Sequence, residues 1–216
     1  MRIAVFGTGM VGSTIGSKLM ELGHEVKMGS RTTNNEKAVA WATSAGNNAS
    51  QGTFAEAAEF GEIIFNCTKG EASVEVLTLA GAKNIAGKIL IDISNALDFS
   101  KGMPPTLSIC NDDSLGETIQ RAFPDLKVVK TLNTMNCKLM VNASGVAGDH
   151  NVFVSGNDAD AKKEVKKILN GFGWADKNII DLGDISTSRG TEQLLPIWIR
   201  LMGTLGTANF NFHIVK

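Results

Sequence analysis

The chain is expected to be α/β, a doubly wound, mainly parallel sheet with a small C-terminal helical extension. Three observations predict this. Short apolar strands alternate with helix-length segments along most of the 216 residues, the layout of a parallel sheet covered on both faces. Segments such as Ile63–Asn66 and Lys88–Asp92 are nearly continuous apolar runs, as strands buried on both faces must be. The first strand, Arg2–Phe6, runs straight into Gly7-Thr8-Gly9-Met10-Val11-Gly12.

That glycine spacing has a physical reading. Gly7 permits the tight turn off the strand, Gly9 lets backbone approach a pyrophosphate, and Gly12 lets the next helix pack on the sheet. The helix from about Met10 to Leu22 carries Val11, Ile15, Leu19 and Leu22 at helical spacing. Its N-terminus, with free N–H groups and a positive dipole end, suits a phosphate. Strand, glycine loop and helix together describe a Rossmann-type dinucleotide site.

The second strand, His24–Met28, selects the dinucleotide. An NAD site places Asp or Glu after it, against the ribose hydroxyls. Here Gly29-Ser30-Arg31-Thr32-Thr33 follows, without an acid. A carboxylate would repel a 2′-phosphate, whereas the planar, permanently charged fork of Arg31 can grip one. Ser30 and Thr32 can add hydrogen bonds, and Lys37 on the next helix is placed to reach the same group. NADP(H) is therefore the expected cofactor.

The remaining elements follow in order. Asn34–Ala45 and Phe54–Phe60 read as helices, Ile63–Asn66 as a strand ending at Cys67, Thr68, Lys69 and Gly70, and helix character resumes to about Ala80. Lys88–Asp92 is a strand ending at Ile93, Ser94, Asn95 and Ala96. A loop holds Gly102, Pro104 and Pro105. Ser114–Phe123 is a helix that stops before Pro124. Lys127–Lys130 is a strand ending at Thr131, Leu132, Asn133, Thr134, Met135 and Asn136. Asn142–His150 is polar and reads as a surface loop, with His150 a surface histidine. Asn151–Ser155 is a strand, Asp158–Asn170 a helix capped by Asn157 or Asp158, and Asn178–Asp181 the last strand. The tail from Ser186 is helical, chiefly from Glu192 to about Leu205, with Pro196 near a helix start or at a kink. Residues 1–145 are expected to form the NADP-binding domain. Residues 146–216 form a smaller C-terminal α/β segment that completes an acceptor site and supplies an oligomer interface.

Composition narrows the function. The formal net charge is −1, which offers no field for nucleic acid or an anionic membrane surface. No apolar run nears the roughly 20 residues that span a bilayer. The first strand begins at Arg2, so no signal peptide is expected. Three cysteines without CxxC spacing and three scattered histidines read as reduced thiols in a cytoplasmic protein, with no disulfide frame and no metal site.

Parallel sheets of this kind bind ligands beyond the carboxyl ends of their strands. Cofactor contacts are therefore expected from Thr8 to Val11, from Ser30 and Arg31, from Cys67, Thr68 and Lys69, and from Asn95 and Ala96. No acid–base pair stands out among these residues, nor in Asn133 and Thr134. Reduction of a ketone calls for a proton donor, whereas hydride can pass directly between two stacked rings that the protein only aligns. No catalytic side chain is therefore assigned, and a ring acceptor is favoured.

The sequence resembles the NADPH-dependent F-420 reductases, NADP oxidoreductases that pass hydride between NADP and a deazaflavin coenzyme. The resemblance rests on Met1–Gly7 with its glycine loop, Leu22–Val26, Gly29–Arg31 with Glu36-Lys37-Ala38 beyond it, Asp181–Gly183, Ser188-Arg189 and the Glu192–Met202 stretch with Pro196. The N-terminal pattern is also similar to the oxidoreductase domain of STEAP-type ferric reductases, which reduce flavin with NADPH. The resemblance implies that Thr8–Val11 hold the pyrophosphate, that Ser30, Arg31 and Lys37 hold the 2′-phosphate, and that Thr68, Asn95 and Ala96 lie along the nicotinamide half. It implies a second ring, F-420 or a flavin (FMN or FAD), near Thr134, Met135, Cys137, Met202 and Leu205, and a homodimer or higher homo-oligomer in which the C-terminal helices contribute. The chain departs from the archaeal pattern at Ser94–Asp98, at Met135-Asn136 and at Ala208–Phe212, all in the acceptor half. Two other readings compete: a reductase of a small carbonyl or imine, for which Gly190–Gly206 lacks the helix lysine, and an NADPH-sensing module without turnover.

Overall fold

A computed structural model of the chain describes residues 1–215. The strands are β1 (Arg2–Phe6), β2 (Glu25–Ser30), β3 (Ala49–Thr53), β4 (Ile63–Asn66), β5 (Ile89–Asp92), β6 (Leu97–Asp98), β7 (Thr106–Leu107), β8 (Lys127–Thr131), β9 (Val152–Gly156) and β10 (Ile179–Gly183). The helices are α1 (Met10–Glu21), α2 (Glu36–Ala45), α3 (Phe54–Phe60), α4 (Ser73–Ala80), α5 (Ala82–Ile85), α6 (Leu115–Ala122), α7 (Cys137–Met140), α8 (Ala159–Gly171), α9 (Ser188–Gln193) and α10 (Leu195–Leu205).

Eight strands form one sheet in the order β10-β9-β8-β5-β4-β1-β2-β3. Every neighbouring pair is parallel except β8 with β9, which run antiparallel. The expected doubly wound architecture is what the chain adopts. Strand order reverses at β1, where β2 lies on one side and β4 on the other, and ligand crevices of such sheets open at this point.

Alternation along β1 explains the two layers. Ile3 and Val5 face a core with Ile15, Leu19, Trp41, Phe65 and Phe172. Ala4 and Phe6 face the other core, with Phe54, Leu77, Leu115 and Ile119. Successive strand side chains point to opposite faces, so one five-residue strand anchors both layers.

Local chemistry sets the helix starts. The Asn35 side chain accepts from the Ala38 N–H at 3.2 Å and starts α2. Thr53 and Glu56 form a reciprocal capping box for α3. Ser114 caps α6, and Asp158, one of the two expected caps, caps α8 at 2.8 Å. Pro196 falls in the first turn of α10, where a missing N–H costs nothing.

Three features differ from expectation. The polar segment Ala49–Thr53 is a strand, pairing with β2 at the sheet edge, where few apolar neighbours are demanded. The loop holding Gly102, Pro104 and Pro105 is pinched by a short antiparallel pair, β6 with β7. His150 is not a surface histidine: it is buried, its ring 5.0 Å from Trp174 in an edge contact. Its Nε2 meets the Ala143 carbonyl and its Nδ1 meets the Asn211 amide, each at 2.9 Å. A carbonyl only accepts, so the Nε2–H tautomer donates there and Nδ1 accepts from Asn211.

Candidate functional site

The glycine loop is shaped by contacts that exclude side chains at two positions and by open space at the third. Gly7 has φ of +111°, a conformation that favours glycine, and its N–H donates to the Gly29 carbonyl at 3.1 Å. A Cβ there would lie 2.7 Å from the Cys67 carbonyl oxygen, and one at Gly12 only 2.0 Å from the Gly7 oxygen. A Cβ at Gly9 would meet nothing within 4 Å. Gly7 and Gly12 are thus small because the protein itself fills the space. Gly9 is small beside an open surface. The first turn of α1 has no acidic residue and no side-chain cap, so its N–H groups are left for an external partner. Gly16 also matters, since a Cβ there would come 2.7 Å from the Trp41 ring; its role was not legible from the fingerprint alone.

At the end of β2, the Ser30 hydroxyl donates to the Thr32 carbonyl at 2.5 Å. This closes the turn and presents Arg31 outward. Arg31, Thr32 and Lys37 are exposed, and neither cation is within 4.0 Å of a carboxylate among the described residues. No acid occurs between Gly29 and Asn35.

Beyond β4 and β5 the two turns interlock. A Cβ at Gly70 would sit 2.1 Å from the Asn95 carbonyl oxygen, so only glycine permits this approach. Thr68 donates to the Asn66 side chain from its hydroxyl at 2.6 Å and from its N–H at 3.3 Å. Asn95 and Asn133 clasp each other through two 3.0 Å bonds. A recess of about 190 Å³ opens here, lined by Thr68, Lys69, Gly70, Ser94, Asn95 and Phe99 among others. Ala96 is buried beside it. Lys69 is 83% exposed, 3.9 Å from Glu71. Burial, then the Asp92 carboxylate and Cys137, push the Cys67 thiol well above the ordinary cysteine range; it is held neutral.

Beneath these turns lies a charge cluster that sequence reasoning missed. Lys130 is fully buried and bridges Asp92 at 2.7 Å and Glu192 at 2.9 Å. It also donates to the Ser94 carbonyl at 2.6 Å. Burial alone would lower the Lys130 pKa, but attraction to Asp92 and Glu192 outweighs it and raises the group, which stays charged. The only signal in the sequence is a lysine closing a buried apolar strand.

The residues expected on the acceptor side fall in two groups. Asn133, Thr134, Met135 and Cys137 are buried; Met135 and Cys137 belong to the core on the α1 face, and Thr14 donates to the Cys137 sulfur at 3.7 Å. Met202 and Leu205 lie on α10, the first half-buried, the second 54% exposed. An open groove of about 410 Å³ runs between Met103-Pro104 and Ile199, Arg200 and Met202. Leu132, leading into the buried group, is held at φ +61°, a left-handed conformation that is strained for a branched side chain. A separate open groove of about 690 Å³ includes Glu117, Arg121, Lys127 and Asp158 and is lined by none of the residues read as cofactor or acceptor contacts.

Comparison with known proteins agrees with this geometry. The family described as NADP oxidoreductase, coenzyme F-420-dependent, matches residues 2–96. The crystal structure of a candidate F-420-dependent NADP-reductase from Arthrobacter sp. FB24 is 55% identical, covers 100% of both chains and superposes with a TM-score of 0.94. The chain belongs to the coenzyme F-420-dependent NADP oxidoreductase family. Its fold is shared more widely. A hypothetical protein, SMa0349 of Sinorhizobium meliloti, is 21% identical over 87% of each chain, with a TM-score of 0.69. An imine reductase from Streptomyces aurantiacus is 16% identical over 95% of this chain and 64% of its own, with a TM-score of 0.65. The residues present fit the family's NADP(H): open space over Gly9, free helix N–H groups, and two cations with no acid after β2. Among the described residues, no helix is long and apolar enough to cross a membrane and no His, Cys, Asp and Glu group could hold a metal ion.

Proposed function

We propose that this oxidoreductase moves hydride between NADP(H) and a deazaflavin (F-420) or flavin ring, without a catalytic side chain. Bound NADP(H) supplies the hydride at its nicotinamide. Gly7, Thr8, Gly9, Met10, Val11 and Gly12 hold the pyrophosphate. Ser30, Arg31, Thr32 and Lys37 receive the 2′-phosphate. Cys67, Thr68, Lys69, Asn95 and Ala96 border the nicotinamide half, and the second ring is received from the side of Asn133–Cys137 and α10, with residues 146–216 completing that side.

One observation carries this reading: the titratable side chains near the site's deeper wall are committed or neutral. Lys130 is locked between two carboxylates, and Cys67 holds its proton. Such a wall aligns rings and excludes water; it does not pass a proton to an alkoxide. A homodimer built on α10 is part of the same proposal, because Ile197 is 51% exposed and Leu205 54% exposed on that helix.

The test is NADPH oxidation followed by absorbance, with F-420, FMN and FAD offered in parallel and NADH as control donor. Turnover with F-420 or a flavin, and preference for NADPH, is expected. Turnover of a cyclic imine or ketone with none on any ring would overturn the acceptor assignment. Tight NADPH binding with no turnover at all would leave a sensing module.

A further inference from the structure

Burying ions is a poor way to gain stability, since well-packed apolar groups in their place often serve as well or better. The cluster of Lys130, Asp92 and Glu192 therefore calls for another account, and its contacts supply one. Lys130 and Asp92 hold pieces of the turns after β4 and β5, and Glu192 holds Lys130. Lys130 Nζ holds the Ser94 carbonyl. Asp92 Oδ1 accepts from the Ser94 N–H at 3.2 Å, the Ser94 hydroxyl at 2.6 Å and the Asn66 amide at 2.8 Å. The other end of Asn66 fixes Thr68. Glu192 arrives from α9, and its carboxylate also accepts from the Leu115 N–H at 2.8 Å and the Gly116 N–H at 3.0 Å at the start of α6.

We propose that Glu192 is a positioning residue for the nicotinamide half of the cofactor, acting through Lys130 and Asp92 on the Ser94-Asn95 and Thr68 turns. The inference rests on the NADP(H) reading of this edge. All of these contacts lie on the β4-β5-β8 side of the switch point; none involves β2 or the residues around Arg31, where the adenosine end is held. The chain of bonds starts on a C-terminal helix and ends at the cofactor wall, so the C-terminal segment sets the geometry of the nicotinamide end and leaves the adenosine end alone.

A ligand pair separates the two ends. NADPH spans both, whereas 2′,5′-ADP carries the adenosine and its 2′-phosphate but no nicotinamide. Glu192→Gln keeps the size of the side chain and removes the charge that holds Lys130. Its NADPH affinity, measured by calorimetry, is expected to fall about tenfold, the scale of one charged hydrogen bond, with 2′,5′-ADP affinity unchanged. Ser94→Ala removes a single hydroxyl from the same chain of bonds; it is expected to shift the same ratio in the same direction by less, and it carries the test where the Glu192 variant does not fold. Equal losses for both ligands, or no loss for either, would overturn the proposal. Failure of 2′,5′-ADP to bind the unaltered protein would instead sink the cofactor reading beneath it.

Discussion

Arg31 stands in solvent with its guanidinium unclaimed, and that is what makes it available to a phosphate. Replacing it by alanine should weaken NADPH binding by about 1.5–3 kcal/mol, the range of a hydrogen bond to a charged group, and leave NADH binding unchanged. Titration of both nucleotides checks this; an unaltered NADPH preference would mean the 2′-phosphate sits elsewhere. Cys67 gives a second expectation. The thiolate is the reactive form, and this thiol is held protonated, while Cys110 is exposed. Brief iodoacetamide treatment near neutral pH should label Cys110 and spare Cys67, as peptide mass mapping would show. At this scale the sequence was legible wherever neighbours in space are neighbours along the chain: Gly7, Gly9 and Gly12, then Ser30 and Arg31. Lys130, Asp92 and Glu192 were not, because 38 residues separate Lys130 from Asp92 and each alone resembles a solvated charge. His150 was misplaced for the same reason: its partners Trp174 and Asn211 come from two other segments.

Among the elements, α6 shows how a helix start can be shared. Ser114 caps it, Glu192 accepts from its first N–H groups, and Glu117 in its first turn is gripped by Arg189 at 2.8 and 2.5 Å. The Arg189 hydrogen bonds hold the Glu117 carboxyl below its usual value of 4.5, against the opposing effect of burial and with help from Ser114. A carboxylate depressed on folding stabilises the fold above its unfolded pKa and loses that contribution as pH falls through the folded value. Melting temperature should therefore drop below about pH 4.5, and Glu117→Gln should flatten that drop while lowering stability at neutral pH. A variant whose acid profile overlays the parent would remove Glu117 from the account. Strongly patterned elements such as α8 and β4 were readable within a residue or two. Edge strand β3 was not, since Ala49-Ser-Gln-Gly-Thr53 carries no alternation, and its pairing with β2 supplies what its composition lacks.

For the whole molecule, the mainly parallel sheet was readable from the alternation of elements, while the strand order, its switch point and the reversal between β8 and β9 were not, because periodicity carries neither strand order nor strand direction. Helix α10 is apolar along much of its length, yet only Leu195 in it is buried. Ile197 and Leu205, 51% and 54% exposed, form apolar surface of the kind that marks an interaction site. Paired copies are expected in solution, and Leu205→Asp should yield single copies by light scattering. A parent that already runs as a single copy would refute the pairing.

The β8–β9 reversal also decides where the chain leaves the sheet. Met1 pairs through its carbonyl with Glu25 at the edge where the parallel strands begin. Beyond α10 the chain returns to the opposite edge, where the Asn136 amide meets the Ala208 carbonyl and Asn151 holds Phe212 and Ile214. A tag or tethering group attached ahead of Met1 would therefore hang away from the nucleotide crevice. A group placed within the tail, at the exposed Asn209, would stand at the same end of the sheet as the crevice, so an immobilised or fluorescently labelled form should carry its group at the front of the chain.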